Sequence, residues 1–303
     1  MTHSIKILYK TVVLFFVVVP LLATVVAIVL LWERAVQWSD LLLLATFYIL
    51  SLLGVTIGFH RMLAHRSFRP HPLVKFVLLV LGSMSFQGPP LRWAAIHIKH
   101  HAQADREGDP HSPIKGLLHA HVTWLLGDGL LQADPRTYCR HLLRDRLVVF
   151  VDRTVLFWMA MGLVVPFLLG GWTGLLWGGL VRIFLTHHVM WSVNSICHTF
   201  GKRPFETNDQ SRNEWVVGLL CLGEGWHNNH HAFPRSAFHG LHWWQFDLSG
   251  VVIWMLERCG LVQEVYRIPP SLLARQASGR EKRAQANVMS SDTFSQQKEV
   301  GKW

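Results

Sequence analysis

The sequence predicts an all-α membrane protein: four transmembrane helices in two hairpins, with a cytoplasmic helical cap that holds a histidine-ligated pair of metal ions. Three observations carry this prediction. Half of the 303 residues are hydrophobic and only 16% are charged. A soluble domain of this length would interleave polar residues to cover its surface, whereas here whole segments lack charge. Nineteen histidines are present, many of them clustered, and most of the basic residues lie outside the tips of the apolar hairpins.

Val12 to Leu31 is a 20-residue run without charge, long enough to cross a hydrocarbon core of about 30 Å at about 1.5 Å per residue. A signal peptide has a shorter apolar core and a small-residue cleavage site, but Trp32-Glu33-Arg34 follows here. A second uncharged run, Leu41 to Phe59, completes a helical hairpin. Thr154 to Gly171 and Trp172 to about Asn194 form another, separated only by Gly170 and Gly171, with Arg182 as the one charge in the last span. Lys6, Lys10, Arg61, Arg66, Arg69, Arg136, Arg140, Arg144 and Arg146 all avoid the hairpin tips. The bias of basic residues toward the cytoplasm then puts both termini and the long central segment on that side.

Leu73 to Gly82 is apolar but short and contains Lys75. A crossing there would leave histidines on opposite sides of the membrane, so it is expected to lie in the interface or inside the cytoplasmic domain. Residues 1–270 read as one domain, and from Ser271 the chain turns polar, as a disordered tail would. The net charge of +10 raises nucleic acid as a partner, but no basic and aromatic interleaving accompanies it, and none is expected. Cys139, Cys197, Cys221 and Cys259 form no Cys-x-x-Cys pair and are expected to be reduced, mostly buried thiols.

The histidine pattern carries the chemistry. His60 and His65 follow the second span, and two H-x-x-H-H clusters come later, His97/His100/His101 and His227/His230/His231. Spacings of three and four put imidazoles on one helix face, where they can converge on a metal. The five-residue step from His60 to His65 does not fit one face of a straight helix, so the span is expected to end or distort between them. A lone histidine is more often a surface or satisfied core residue; this constellation is not. Eight histidines exceed one zinc tetrahedron and suggest two metals, whose identity imidazole ligation alone leaves open.

These clusters stand in wider motifs: Gly58-Phe-His60-Arg-Met-Leu-Ala-His65-Arg-Ser-Phe68, Asp109-Pro-His-Ser-Pro113, Asn194-Ser-Ile-Cys-His198 and Gly223-Glu-Gly-Trp-His227-Asn-Asn-His-His231. With them the chain resembles the membrane fatty-acid desaturase family, in its acyl-CoA and Δ9 acyl-lipid branch of bacterial type, over roughly residues 10 to 265. The resemblance implies two irons and dioxygen as co-substrate. Its implied iron ligands are His60, His65, His97, His100, His101, His198, His227, His230 and His231, with Asn194 acting through water. It implies a cis double bond, at Δ9, in a long saturated acyl chain, and a bacterial inner membrane as the setting. His111, His119, His121, His187 and His188 match no ligand position. Asp105, Asp109 and Glu224 are candidates for orienting ligand N–H groups, or for simple caps and salt bridges.

Neither end has room for a fused cytochrome b5 domain, so a separate electron donor of ferredoxin or cytochrome b5 type is expected. Arg92, Lys99, Arg140, Arg144 and Arg146 would meet it or anionic membrane lipid. On a straight helix ending at His60, the residues Thr56, Leu53 and Ile49 fall near its face and either line an acyl tunnel or meet lipid. Animal acyl-CoA desaturases carry Arg-Asp before the second cluster, where this chain has Ala95 and Ile96. That departure favours a glycerolipid carrier over acyl-CoA and leaves both open. A related hydroxylase and a metal transporter are the rival readings. The former lacks its Asn-Tyr-x-Glu-His-Tyr-Gly segment here, and the latter would need polar ligands at mid-membrane rather than at span ends.

Overall fold

The computed structural model describes residues 3–33, 36–127 and 133–274, and these residues are mostly helical. The polar segment expected from Ser271 lies, beyond residue 274, outside the described residues. Among the described residues three helices are long and apolar enough to cross a membrane: Ile7–Leu31, Trp38–Ala64 and Val155–Ser195.

The first is most of α1 (His3–Trp32). Tyr9, Val13, Phe16, Val17, Pro20, Ala23 and Ala27 recur at helical spacing and turn toward the rest of the protein, while Leu14, Phe15, Leu22 and Ile28 stay exposed. Exposed apolar residues on such a helix suit lipid rather than water. The second begins with α2 (Trp38–Leu53), whose first turn is capped where the Gln37 N–H donates to the Asp40 carboxylate at 3.0 Å. It continues as a π-helix over Gly54–Ala64.

Helix α3 (Pro72–Met84) opens with proline in its first turn, and the His71 Nδ1 accepts from the Leu73 N–H. Its 13 residues reach only about 20 Å, short of a crossing. Leu78 and Leu79 are buried while Leu73 and Val77 are exposed, so one face packs and the other does not. It docks against the π-helix where two glycines meet: a Cβ on Gly54 would lie 2.1 Å from the Gly82 nitrogen. Helix α4 (Pro90–Gln103) again starts on proline. Helix α5 (Arg146–Arg153) is capped by the Asp145 carboxylate, which accepts from the Leu147 and Val148 N–H groups.

The third long stretch is not one straight rod. Helix α6 (Val155–Gly174) is interrupted at Gly171, with φ 60° and ψ −144°, a conformation that an L side chain resists. Beyond it the chain turns back on itself: a Cβ on Gly174 would lie 2.3 Å from the Pro166 oxygen, and one on Gly178 would touch the Pro166 ring. A π-helical stretch, Leu175–Val181, leads into α7 (Arg182–Ser195). Arg182 is fully buried and donates to the Gly178, Met84 and Gly162 carbonyls and to the Ser51 hydroxyl, at 2.6 to 3.2 Å. One guanidinium thus joins α2, α3, α6 and α7, the usual fate of an intramembrane cation being the bundle interior.

Short helices α8 (Trp215–Leu220) and α9 (His227–Ala232) and the longer α10 (Leu248–Arg258) follow. The main core joins Phe59, Leu79, Leu91, Ala94, Val148, Val151 and Ile253 from the π-helix, α3, α4, α5 and α10. An antiparallel pair, β1 (Arg69–Pro70) and β2 (Val262–Gln263), sits beside it, and the Tyr266 N–H donates to the Ser67 carbonyl at 2.8 Å. All four cysteines are free; Cys139, Cys197 and Cys221 are buried and Cys259 is exposed.

Candidate metal centre

The π-helix resolves the awkward five-residue step. Its hydrogen bonds run from residue i to i+5, so residues five apart stack on one side. The His65 N–H donates to the His60 carbonyl at 3.1 Å, and the two rings lie 4.8 Å apart. Helix α4 presents His97, His100 and His101, α9 presents His227, His230 and His231, and His198 follows the last turn of α7.

Two groups of nitrogens result. His60, His65, His97, His101 and His230 form one; His100, His198, His227 and His231 form the other, the atoms in each lying within 4.8 Å of one another. The same rule sorts both H-x-x-H-H clusters. The pair four residues apart, His97/His101 or His227/His231, stays together on one helix face. The histidine between them, His100 or His230, turns to the opposite group.

The donor set fits metal ions. Nε2 atoms face each other between His60 and His230 at 3.1 Å, His101 and His230 at 3.0 Å, His65 and His97 at 2.7 Å, and His198 and His227 at 3.0 Å. One hydrogen serves at most one contact, and the His230 Nε2 faces two. The buried Nε2 atoms of His100 and His231 have no hydrogen-bond partner. Converging imidazole lone pairs in a dry interior are what a ligated cation satisfies.

Carboxylates take the other ring nitrogens. His60 Nδ1 lies 2.6 Å from Glu224, His100 Nδ1 3.0 Å from Asp109, His198 Nδ1 2.8 Å from Asp105, and His231 Nδ1 2.8 Å from Asp209. An Nδ1–H held this way leaves the Nε2 lone pair pointing inward. Burial, and next the charge of neighbouring histidines, holds His65, His97, His101, His227, His230 and His231 well below the ordinary imidazole value of 6.5. Neutral imidazole is the form that binds metal. Burial alone would raise the Asp105 carboxyl, but its hydrogen bond and charge contact with His198 bring it below the usual range.

A cavity of about 460 Å³ opens against this centre, within the ~300–1,000 Å³ range of small-molecule sites. His60, His97, His227 and Asn194 are among its lining residues. Val13, Phe16 and Val17 of α1, with Leu156, Met159 and Trp191, give it apolar walls, and Gln87 and Arg92 add polar ones. Trp93 stacks on His97 at 5.2 Å. Ile49, Leu53 and Thr56 do not line it. Ile49 is 39% exposed, and Thr56 is fully buried with its hydroxyl 2.7 Å from that of Ser249.

The sequence model of the fatty acid desaturase family matches residues 30–249, more than half of the chain. The chain belongs to the fatty acid desaturase family. This desaturase is 40% identical over 269 residues to the hex-5-enoyl acyl-carrier-protein acetylenase of Moorena producens (strain JHB), covering 82% of its own chain and 83% of the relative. It is 39% identical over 223 residues to the sn-1 stearoyl-lipid 9-desaturase of Anabaena variabilis, covering 73% and 82%. It is also 37% identical over 236 residues to an acyl-CoA C20 Δ5-desaturase of Anemone leveillei, covering 77% and 75%. It is a membrane-bound oxidoreductase that desaturates fatty acyl chains, with histidine clusters suited to iron.

Other residues of the desaturase depart from the sequence reading. Lys99 is buried, 5% exposed, and Arg92 lines the cavity, so of the five basic residues expected to meet a donor or anionic lipid only Arg140, Arg144 and Arg146 are exposed. Ala95 is fully buried in the core, and Ile96 lines the cavity. In keeping with the sequence reading, His111 packs beside the centre, 4.4 Å from the His100 ring, and His121 pairs with His188 at 3.0 Å, outside both groups. Three participants were not anticipated. Asp209 sits in an irregular loop without a motif. Arg61 is fully buried and binds Glu224 and Asp247, and His239 lies beside Glu224. Arg61 stands inside the first histidine motif, which was the one available signal for it.

Proposed function

We propose that this desaturase uses two irons and dioxygen to introduce a cis Δ9 double bond into a saturated acyl chain carried as a glycerolipid. The division of nine histidines into a five and a four, with three of them lining an apolar cavity, carries this reading. His60, His65, His97, His101 and His230 would hold one iron, and His100, His198, His227 and His231 the other, with Asn194 acting through water. Iron bound there supplies, from dioxygen and delivered electrons, an oxidising power that no side chain possesses. Two hydrogens leave adjacent carbons, and with two further electrons and two protons they reduce one dioxygen to two waters.

The chain's own part is position and dryness. Glu224, Asp109, Asp105 and Asp209 fix the imidazole tautomers. The walls from α1 and Trp191 exclude water and hold one pair of methylenes among many alike against the centre. Four crossings, with the break at Gly171 as a hairpin tip, would put the termini and the centre on the cytoplasmic side, where a separate ferredoxin or cytochrome b5 delivers electrons. Relatives named for an acyl-lipid, an acyl-CoA and an acyl-carrier protein are each 37% to 40% identical to this chain. Ile96, apolar where it lines the cavity, favours the lipid carrier.

Expression in a host without its own desaturase, followed by lipid profiling, tests the reading. A Δ9 alkene that disappears with His100→Ala is the expected result; an unchanged profile, or a hydroxylated chain, would overturn it. Labelled stearoyl-CoA and labelled phospholipid, supplied separately with acyl transfer blocked, decide the carrier.

A further inference from the structure

We propose that His239 is a positioning residue of the metal centre, securing the Glu224 carboxylate that orients His60. This rests on the reading of the nine histidines as metal ligands. His239 is 1% exposed, and hydrogen bonds pin its backbone on both sides. Its N–H donates to the Asp247 carboxylate at 2.7 Å, and its carbonyl accepts from the Asn229 amide at 2.8 Å. The ring is thereby fixed against the centre, 4.5 Å from the His230 ring and 5.4 Å from the His60 ring.

Neither ring nitrogen has a hydrogen-bond partner, although both are buried. The Nδ1 atom lies 3.4 Å from Glu224 Oε2, the same oxygen that meets His60 Nδ1 at 2.6 Å. The other carboxylate oxygen accepts from Arg61 Nε and Nη2 at 3.3 and 3.1 Å. His60 and Arg61 thus bond Glu224, and the His239 Nδ1 stands against the same carboxylate on a third side, close but without hydrogen-bond geometry. A ring wanted only for packing would be apolar, because two desolvated nitrogens without partners are costly. His239 also lies outside the group of five nitrogens and converges instead with Glu224 and His60. Its role is to keep the carboxylate where it accepts the His60 Nδ1–H, so that the His60 Nε2 stays turned inward.

The test compares purified, iron-loaded full-length protein with His239→Phe and His239→Gln, following transfer of iron to a chelator. His239→Phe should keep both irons but release them roughly 10–100-fold more readily, the usual effect of losing a residue that orients a ligand. His239→Gln keeps an N–H for Glu224 and should lie within about threefold of the parent. In a Glu224→Gln background, His239→Phe should add less than about twofold, because both changes break one contact chain. His239→Met makes the same comparison should the Phe ring prevent folding. Release from His239→Phe at the parent's rate, or a Gln variant as leaky as the Phe variant, would overturn the proposal. Outright loss of one iron with His239→Phe would overturn it in favour of a ligand. A parent protein that binds no iron would overturn the metal-centre reading as well, and so separates the two failures.

Discussion

Four histidines give their Nδ1 hydrogens to carboxylates, and those bonds decide which nitrogen of each ring faces inward. Asp209 is the most exposed to test, since it lies in a loop and serves His231 alone among the nine. Asp209→Asn should weaken iron retention by about 10–100-fold, measured by chelator competition, while His231→Ala should cost more by removing a ligand; equal retention in both variants and the parent would count against the pairing. The crowded imidazoles also set a pH limit. Burial and the charge of neighbouring histidines hold His97, His101, His227 and His231 below 6.5, so under that pH the unfolded chain takes up more protons than the folded one. Stability and metal retention are therefore fully present above about pH 6.5 and are lost as the pH falls. Thermal midpoints and iron content between about pH 7.5 and 5 should decline together, and flat curves would contradict this.

At the scale of elements, α1 is a working wall of the cavity, through Tyr9, Val12, Val13, Phe16 and Val17. Its position is tied where the Tyr9 hydroxyl donates to the Leu125 carbonyl at 3.2 Å. Val13→Trp fills space that the acyl chain would use, so products should shift toward shorter chains, by roughly 10-fold or more in relative rate; a chain-length profile like the parent's would remove α1 from the substrate path. Extending one helical face downward from His60 offers Ile49, Leu53 and Thr56 either for this lining or for lipid contact. That extension assumes uniform winding, which fails at Gly54, where the helix becomes π. The histidine clusters were legible because metal ligation imposes short spacings along the chain. Asp209 and His239 were not, because their partners, His231 and Glu224, lie 22 and 15 residues away through irregular loops. The helix break at Gly171 was legible from two adjacent glycines, and the shortness of α3 from its apolar run.

For the whole molecule, four crossings predict that reporters fused near residue 33 and at Gly171 face away from the cytoplasm, while a reporter before α1 faces it; a reporter at Gly171 on the cytoplasmic side would refute the second hairpin. The sorting of each H-x-x-H-H cluster between both groups has a further consequence, for biosynthesis. The group of five needs His60 and His65 from the second long helix, His97 and His101 from α4, and His230 from α9. The group of four needs His100 from α4 but also His227 and His231. Neither nest of nitrogens is complete until residue 231 has left the ribosome, by which time Val155–Ser195 has already been made. Completion of either group is therefore a late event, and a nascent chain stalled before α9 should fall short of the full iron content of the finished protein.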